Sequence, residues 1–288
     1  MNKLDLSKFN LSKEQEEIIK LFVANEIIMQ PYLQQALRIQ NRGKNQLKDY
    51  LYPILVELKK QGRTAVSPLN RKEREDLVLI LAWLLEELKE PLRSSVRKQI
   101  RPPYKVSHFI QAIVLEQALL NYSRYLVPIN TGWTKIVSNT LEIDPKKREE
   151  IISTPWNDGR DTLDFRDRLN RNAVRMGLYL AFELIEEMVG NYRLTVLENT
   201  IDLRYAKQQG EIKRDVTTST THISNESIME KYTLLGVDSW EHISVLDSRT
   251  TVLCRSRHGK IWKSNQLIAG VTIPPLHHRC RSVLAPVI

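Results

Sequence analysis

Between Leu163 and Val189 the apolar residues Phe165, Leu169, Met176, Leu180, Leu184 and Met188 recur at a spacing near 3.6. That period places one apolar stripe along an amphipathic helix, and a chain built from such stripes must bury them against each other. The same pattern fills most of residues 1–190. Ser12-Lys13-Glu14-Gln15 reads as a capping box with Leu11 as its staple, opening a helix through Ile18, Ile19, Phe22 and Val23. Pro31 is expected to kink or end it. Further helices are expected over about 45–61, 72–90, 105–125 and 133–141. The breaks between them fall at Gly62, Pro68, Pro91, Pro102-Pro103 and Pro128. The run Leu77 to Leu85 is the longest apolar stretch, and Asp76 and Glu86 bound it. It is shorter than the roughly 18 residues that cross a bilayer and reads as a buried helix. The start of the chain, MNKLDLSKFN, shows no hydrophobic signal region, so secretion and membrane insertion are not expected.

Ser153 to Gly159 reads as a linker or turn cluster before the helix at 163–189, and Gly190 sits where a C-cap glycine belongs. Residues 191–222 look partly helical and then turn β-branched and polar at Val216 to Thr221, with a short helix from Ser224 to Leu235. Beyond Gly236 the character changes. Trp240 to Leu246 alternates in the manner of a strand, and Ile261-Trp262 and Val283 to Val287 supply two more. The expected fold is a mainly α N-terminal helical body with a small α+β C-terminal domain, divided as 1–155 and 156–288.

The reactive residues crowd into that second part. Both cysteines, Cys254 and Cys280, and five of the six histidines (His222, His242, His258, His277, His278) lie late in the chain. Two cysteines do not make a disulfide scaffold. The net charge is +9, and residues 248–288 hold Arg249, Arg255, Arg257, Lys260, Lys263, Arg279 and Arg281 without one Asp or Glu. A basic end of this kind suits a polyanionic or acidic partner, with Arg255, Arg257, Lys260, Lys263 and Arg279 as its contacts.

Two blocks carry the most specific pattern. The first runs from Asp247 through Arg249, Thr250 and Cys254 to Gly259. The second is Pro274-Pro275, His277 and Cys280-Arg281-Ser282. In order and spacing these eleven residues resemble the C-terminal signature of the phage Mu protein F-like family of minor head proteins. Thr251 and Ser282 stand where many members of that family carry further cysteines. The resemblance is strong over 247–288, faint over about 160–246 and absent over 1–150. It implies a head-morphogenesis protein of a tailed phage or prophage, present in few copies at the portal vertex and head interior. Such a protein assists head assembly and DNA packaging or delivery. The implied partners are the portal protein, a major capsid or scaffold protein and phage DNA, with no membrane, in the virion head or the host cytoplasm during assembly. The alternative is a basic DNA-binding or DNA-modifying protein acting through the C-terminal domain.

Read physically, the motif residues are fasteners. Gly259 suits a tight turn that needs positive φ, Pro274-Pro275 stiffens the approach to His277, and Asp247 can pair with Arg249 or Arg281. Cys254 and Cys280 are expected to face one another as packed thiols, as a disulfide, or as zinc ligands with His258 and His277 or His278. No catalytic residues are assigned. There is no HExxH, no phosphate-binding glycine loop and no acidic cluster in 248–288 for a magnesium site, so an enzyme is not expected.

Overall fold

The computed structural model describes residues 12–60, 106–157, 159, 162–188 and 193–287. The expected helix over 72–90, with its Leu77 to Leu85 run, lies outside them, as do Leu11 and Gly190. The protein is mostly helical with a small sheet of short strands near the C-terminus, as expected. Its elements are α1 (Lys13–Lys60), α2 (Val106–Thr140), α3 (Pro145–Ile152), β1 (Trp156–Asn157), β2 (Thr162–Leu163), α4 (Phe165–Glu187), α5 (Leu194–Thr233), β3 (Ser239–Ser244), α6 (Val252–Arg257), β4 (Ile261–Lys263) and β5 (Ser282–Pro286).

The capping box at the start of α1 forms in both directions. The Ser12 amide donates to Gln15 Oε1 at 3.0 Å and the Gln15 amide to Ser12 Oγ at 3.2 Å. Neither proline ends its helix. α1 spans 48 residues with Pro31 inside it, and α2 spans 35 residues with Pro128 inside it. A proline removes one ladder bond, but the flanking residues Met29, Leu33, Ile129 and Trp133 are all buried in one core, whose packing offsets that loss. α3 is capped by Asp144, whose Oδ1 accepts from the amides of Lys146 (2.8 Å) and Lys147 (3.0 Å) ahead of Pro145 at the first turn. The turn cluster at 153–159 contains a strand, since β1 pairs antiparallel with β2.

The largest departure from expectation is α5, a single 40-residue helix where an irregular stretch and a short helix were expected. Along its β-branched run the hydroxyls bond back within the helix, which satisfies them where they are buried without itself favouring the helix. Thr217 Oγ1 donates to the Lys213 carbonyl, Thr218 to Arg214, Thr220 to Val216 and Ser227 to Ile223.

Packing divides the chain into two compact units, and each draws on residues from both sides of position 155. One comprises Met1–Ile39, Tyr122–Arg171 and Gln209–Ile288; the other comprises Gln40–Asn121 and Asn172–Gln208. The described residues of the second unit are helical for the most part, with a core of Leu47, Leu51, Ile110, Val114, Leu180, Leu184 and Tyr205. Lys44 and Lys48 both reach Asp202 there, at 2.9 and 2.7 Å.

The first unit holds the sheet. Its order is β4-β3-β5, antiparallel throughout, with Trp240 opposite Trp262 on one side and His242 opposite Leu284 on the other. Helix α5 closes the outer edge of β5. Asn225 Oδ1 accepts from the Leu284 amide at 2.8 Å, and Asn225 Nδ2 donates to the Ser282 carbonyl at 3.2 Å. One buried amide side chain thus supplies the donor and acceptor that a further strand would have offered. Thr221 Oγ1 adds a bond to the Cys280 carbonyl at 2.9 Å, and Thr218 Oγ1 accepts from the Arg279 amide at 3.1 Å.

Candidate functional site

The two motif blocks meet beside β3. The first leaves β3 through a turn in which the Asp247 amide donates to Thr250 Oγ1 (2.8 Å) and the Arg249 amide to Asp247 Oδ1 (2.8 Å). This is the self-bonding that lets Asp open a turn. Thr251 caps α6 by accepting from the Cys254 amide at 3.3 Å, which aims Cys254 inward. α6 ends at His258, and Gly259 takes φ +78°, a conformation that would strain a residue with a Cβ. Its amide donates to the His242 carbonyl at 2.9 Å and leads the chain into β4.

The second block arrives through Pro274-Pro275, joined by a cis peptide bond. The Trp156 indole donates to the Pro275 carbonyl at 2.6 Å. A turn closed by the Cys280 amide on the His277 carbonyl (3.1 Å) then passes through Arg279 at φ +59° into β5. Trp156 itself stacks on Phe165 and lies under the Arg168 guanidinium at 4.8 Å.

Three side chains converge. Cys254 Sγ lies 3.6 Å from Cys280 Sγ and 3.1 Å from His277 Nε2, so the two cysteines are neighbours as expected. His277 Nδ1 faces the His278 carbonyl at 2.8 Å, and Nε2 also meets Thr251 Oγ1 at 3.0 Å. The Cys280 thiol beside Cys254 pulls the Cys254 pKa well below the ordinary thiol range, with His242, His277 and Thr251 adding to the effect. Cys280 is pushed up by the same neighbour and by burial, so the two thiols titrate as a pair. The Cys254 thiolate in turn raises His277. Both cysteines are free and buried, and together with His277 they form a set that could hold a metal ion such as zinc. A solvent-open depression of about 200 Å³, lined in part by Thr251, Cys254, His277 and Arg279, reaches the cluster.

A fork of hydrogen bonds joins the blocks a second time. Arg281 donates to Asp247 through Nη1 at 2.9 Å and Nη2 at 2.6 Å, while Arg249 reaches the same carboxylate at 3.4 Å. Arg281 holds the Asp247 carboxyl far below the usual carboxylate range. Between the two bridges, Ser244 Oγ and Ser282 Oγ are 2.9 Å apart, and Ser244 Oγ donates to the Cys254 carbonyl at 2.9 Å.

Two expected ligands stand elsewhere. His258 Nδ1 accepts from the Ser244 amide at 3.1 Å and serves the joint between β3 and α6. His278 packs edge-on against Trp156 at 5.1 Å, with Nδ1 3.9 Å from Asp215. His242 is the residue that sequence reasoning passed over. It is fully buried, its ring favours the Cys254 thiolate, and neither ring nitrogen has a hydrogen-bond partner. Its only sequence signal is its place in an alternating strand.

Several of the basic residues make a contact within the fold while staying at the surface. Arg255 donates to the Asp247 carbonyl at 3.1 Å. Arg257 donates to the Val271 carbonyl and lies over Trp262. Lys263 donates to Ser239 Oγ at 2.8 Å. Lys260 and Arg279 are exposed. Among the described residues no helix is long and apolar enough to cross a membrane. Comparisons with protein-family models, curated proteins and solved structures find no match.

Proposed function

We propose that this chain is a minor head protein of a tailed phage, acting without catalysis at the portal vertex and head interior during assembly and DNA packaging or delivery. The observation that supports this reading is the convergence of the two motif blocks. Residues that resemble a head-morphogenesis signature, separated in sequence, close on each other through Asp247–Arg281 and Cys254–Cys280. All of them fasten one module, and a zinc ion at the cluster would be a further fastener rather than a reaction centre.

On this reading the portal protein meets the helical unit. Tyr50 and Tyr52 on α1 are 54% and 46% exposed, aromatic side chains of the kind that anchor interfaces. Tyr32, by contrast, packs against the core of the first unit. The test is co-expression of the full chain with the portal protein of the same phage, followed by co-purification and mass spectrometry of purified virions. Co-purification that Tyr50→Ala/Tyr52→Ala weakens supports the reading. Absence of the chain from virions together with no portal association overturns it.

A further inference from the structure

We propose that the sheet-bearing unit binds one zinc ion through Cys254 Sγ, Cys280 Sγ and His277 Nε2, with His242 as the fourth ligand, and that this ion fastens the two motif blocks. The inference concerns this chain's own side chains and stands apart from the proposed assembly role.

Four observations carry it. A zinc tetrahedron with Zn–S bonds of about 2.3 Å has a sulfur–sulfur edge of about 3.8 Å, and Cys254 and Cys280 already stand 3.6 Å apart. A disulfide would require them to close to about 2.05 Å. His277 is oriented as a metal-binding imidazole is. Its Nδ1 is taken by the His278 carbonyl, which leaves the Nε2 lone pair facing the sulfur of Cys254.

The third observation is His242. A buried imidazole with both nitrogens unpartnered is costly unless something satisfies it. This one stands on the strand that runs through the middle of the sheet, outside the Cys254–His277–Cys280 set whose donor atoms lie within 4.8 Å of one another, so a shift of its ring would bring it to the ion. A cation at the cluster would satisfy it and complete the four nitrogen and sulfur donors of a structural zinc site. Last, the depression at Thr251 and Arg279 gives an ion a way in. The donors come from β3, from α6 and from the turn before β5, so the ion would tie a strand to both motif blocks.

The experiment uses the full chain, purified reduced and metal-free, then titrated with cobalt(II) and zinc(II). The expected result is one equivalent bound. Cobalt should give a sulfur-to-metal charge-transfer band and intense d–d bands of tetrahedral form, and both thiols should resist a thiol reagent until a chelator is added. His242→Asn should weaken zinc binding by more than the roughly 10- to 100-fold lost with an outer-shell partner and alter the d–d bands, while His258→Asn should leave both unchanged. Because a cysteine variant that failed to fold would also lose metal, the wild-type cobalt spectrum and thiol protection decide the matter. No charge-transfer band with both thiols reduced, or a Cys254–Cys280 disulfide in freshly isolated protein, would overturn the proposal. A His242→Asn protein with unchanged spectrum and affinity would remove His242 as a ligand and overturn the four-donor site.

Discussion

Asn225→Leu is the substitution that most directly tests how α5 holds the sheet. Leucine has a similar shape, so packing is nearly kept, while both polar atoms vanish. In the native chain Asn225 is fully buried and satisfies the Leu284 amide and the Ser282 carbonyl on the edge of β5 that faces away from β3. The variant leaves both backbone groups buried without partners. Each such group costs about 1–3 kcal/mol, so the expected loss is about 2–6 kcal/mol. Set against a typical stability of about 5–15 kcal/mol, that is large enough to read in one denaturation curve. The assay is urea unfolding of the full chain at equilibrium, joined to hydrogen exchange at the Leu284 amide. The expected result is a lower midpoint and fast exchange at that amide. A cost below about 1 kcal/mol with Leu284 still protected would refute the reasoning, because the edge would then have another partner.

Three further outcomes are expected. Burial, with Glu230 nearby, pushes the Glu226 carboxyl up to about 7, from 4.5. The folded state therefore holds an extra proton between those values, and stability falls as pH rises through that window. Glu226→Gln should be the more stable protein near pH 8 and lose its advantage near pH 4.5, measured as thermal midpoint against pH; parallel curves would exclude Glu226 as the cause. Asp247 has the opposite sign: Arg281 depresses its pKa, so its contribution is present above the unfolded value near 3.9 and is lost as pH falls. Asp247→Asn should lower the thermal midpoint at pH 7 and matter less in acid, and an equal deficit at both would rule out the ionised pair. Trp156→Phe removes the donor to the Pro275 carbonyl and should cost about 1–2 kcal/mol by denaturation, with faster proteolysis of the second motif block; unchanged values on both would count against this tether.

The strands were legible because local alternation and sheet pairing agree. Trp240 to Leu246 becomes Ser239–Ser244, and Ile261-Trp262 and Val283 to Val287 become its two partners. The capping box at Ser12 was legible for the same reason, since both of its bonds are local. What misled the reading were residues whose role is set at a distance. Pro31 and Pro128 are helix breakers by local rule, yet packing overrides them. Val216 to Thr221 has strand-like composition, and only distant partners explain what this helix presents: the Arg279 amide and Cys280 carbonyl for its threonines, and β5 for Asn225. In the site, Asp247–Arg281 and Cys254–Cys280 could be foreseen because each has few chemically suitable partners. His242 could not, because the cluster that gives it meaning is assembled from residues 254, 277 and 280.

The asparagine seal on β5 also governs how copies of this chain can meet. A sheet grows by adding a strand to an open edge. On the β5 side that edge is already occupied by a helix of the same chain. On the β4 side it is three residues long, with Lys260 just before it and Lys263 at its end. Positive charge on so short an edge repels a second copy of itself. Crowded at high concentration, such molecules would be kept from polymerising through their sheets, and any assembly they join would be built on helix faces and side chains instead.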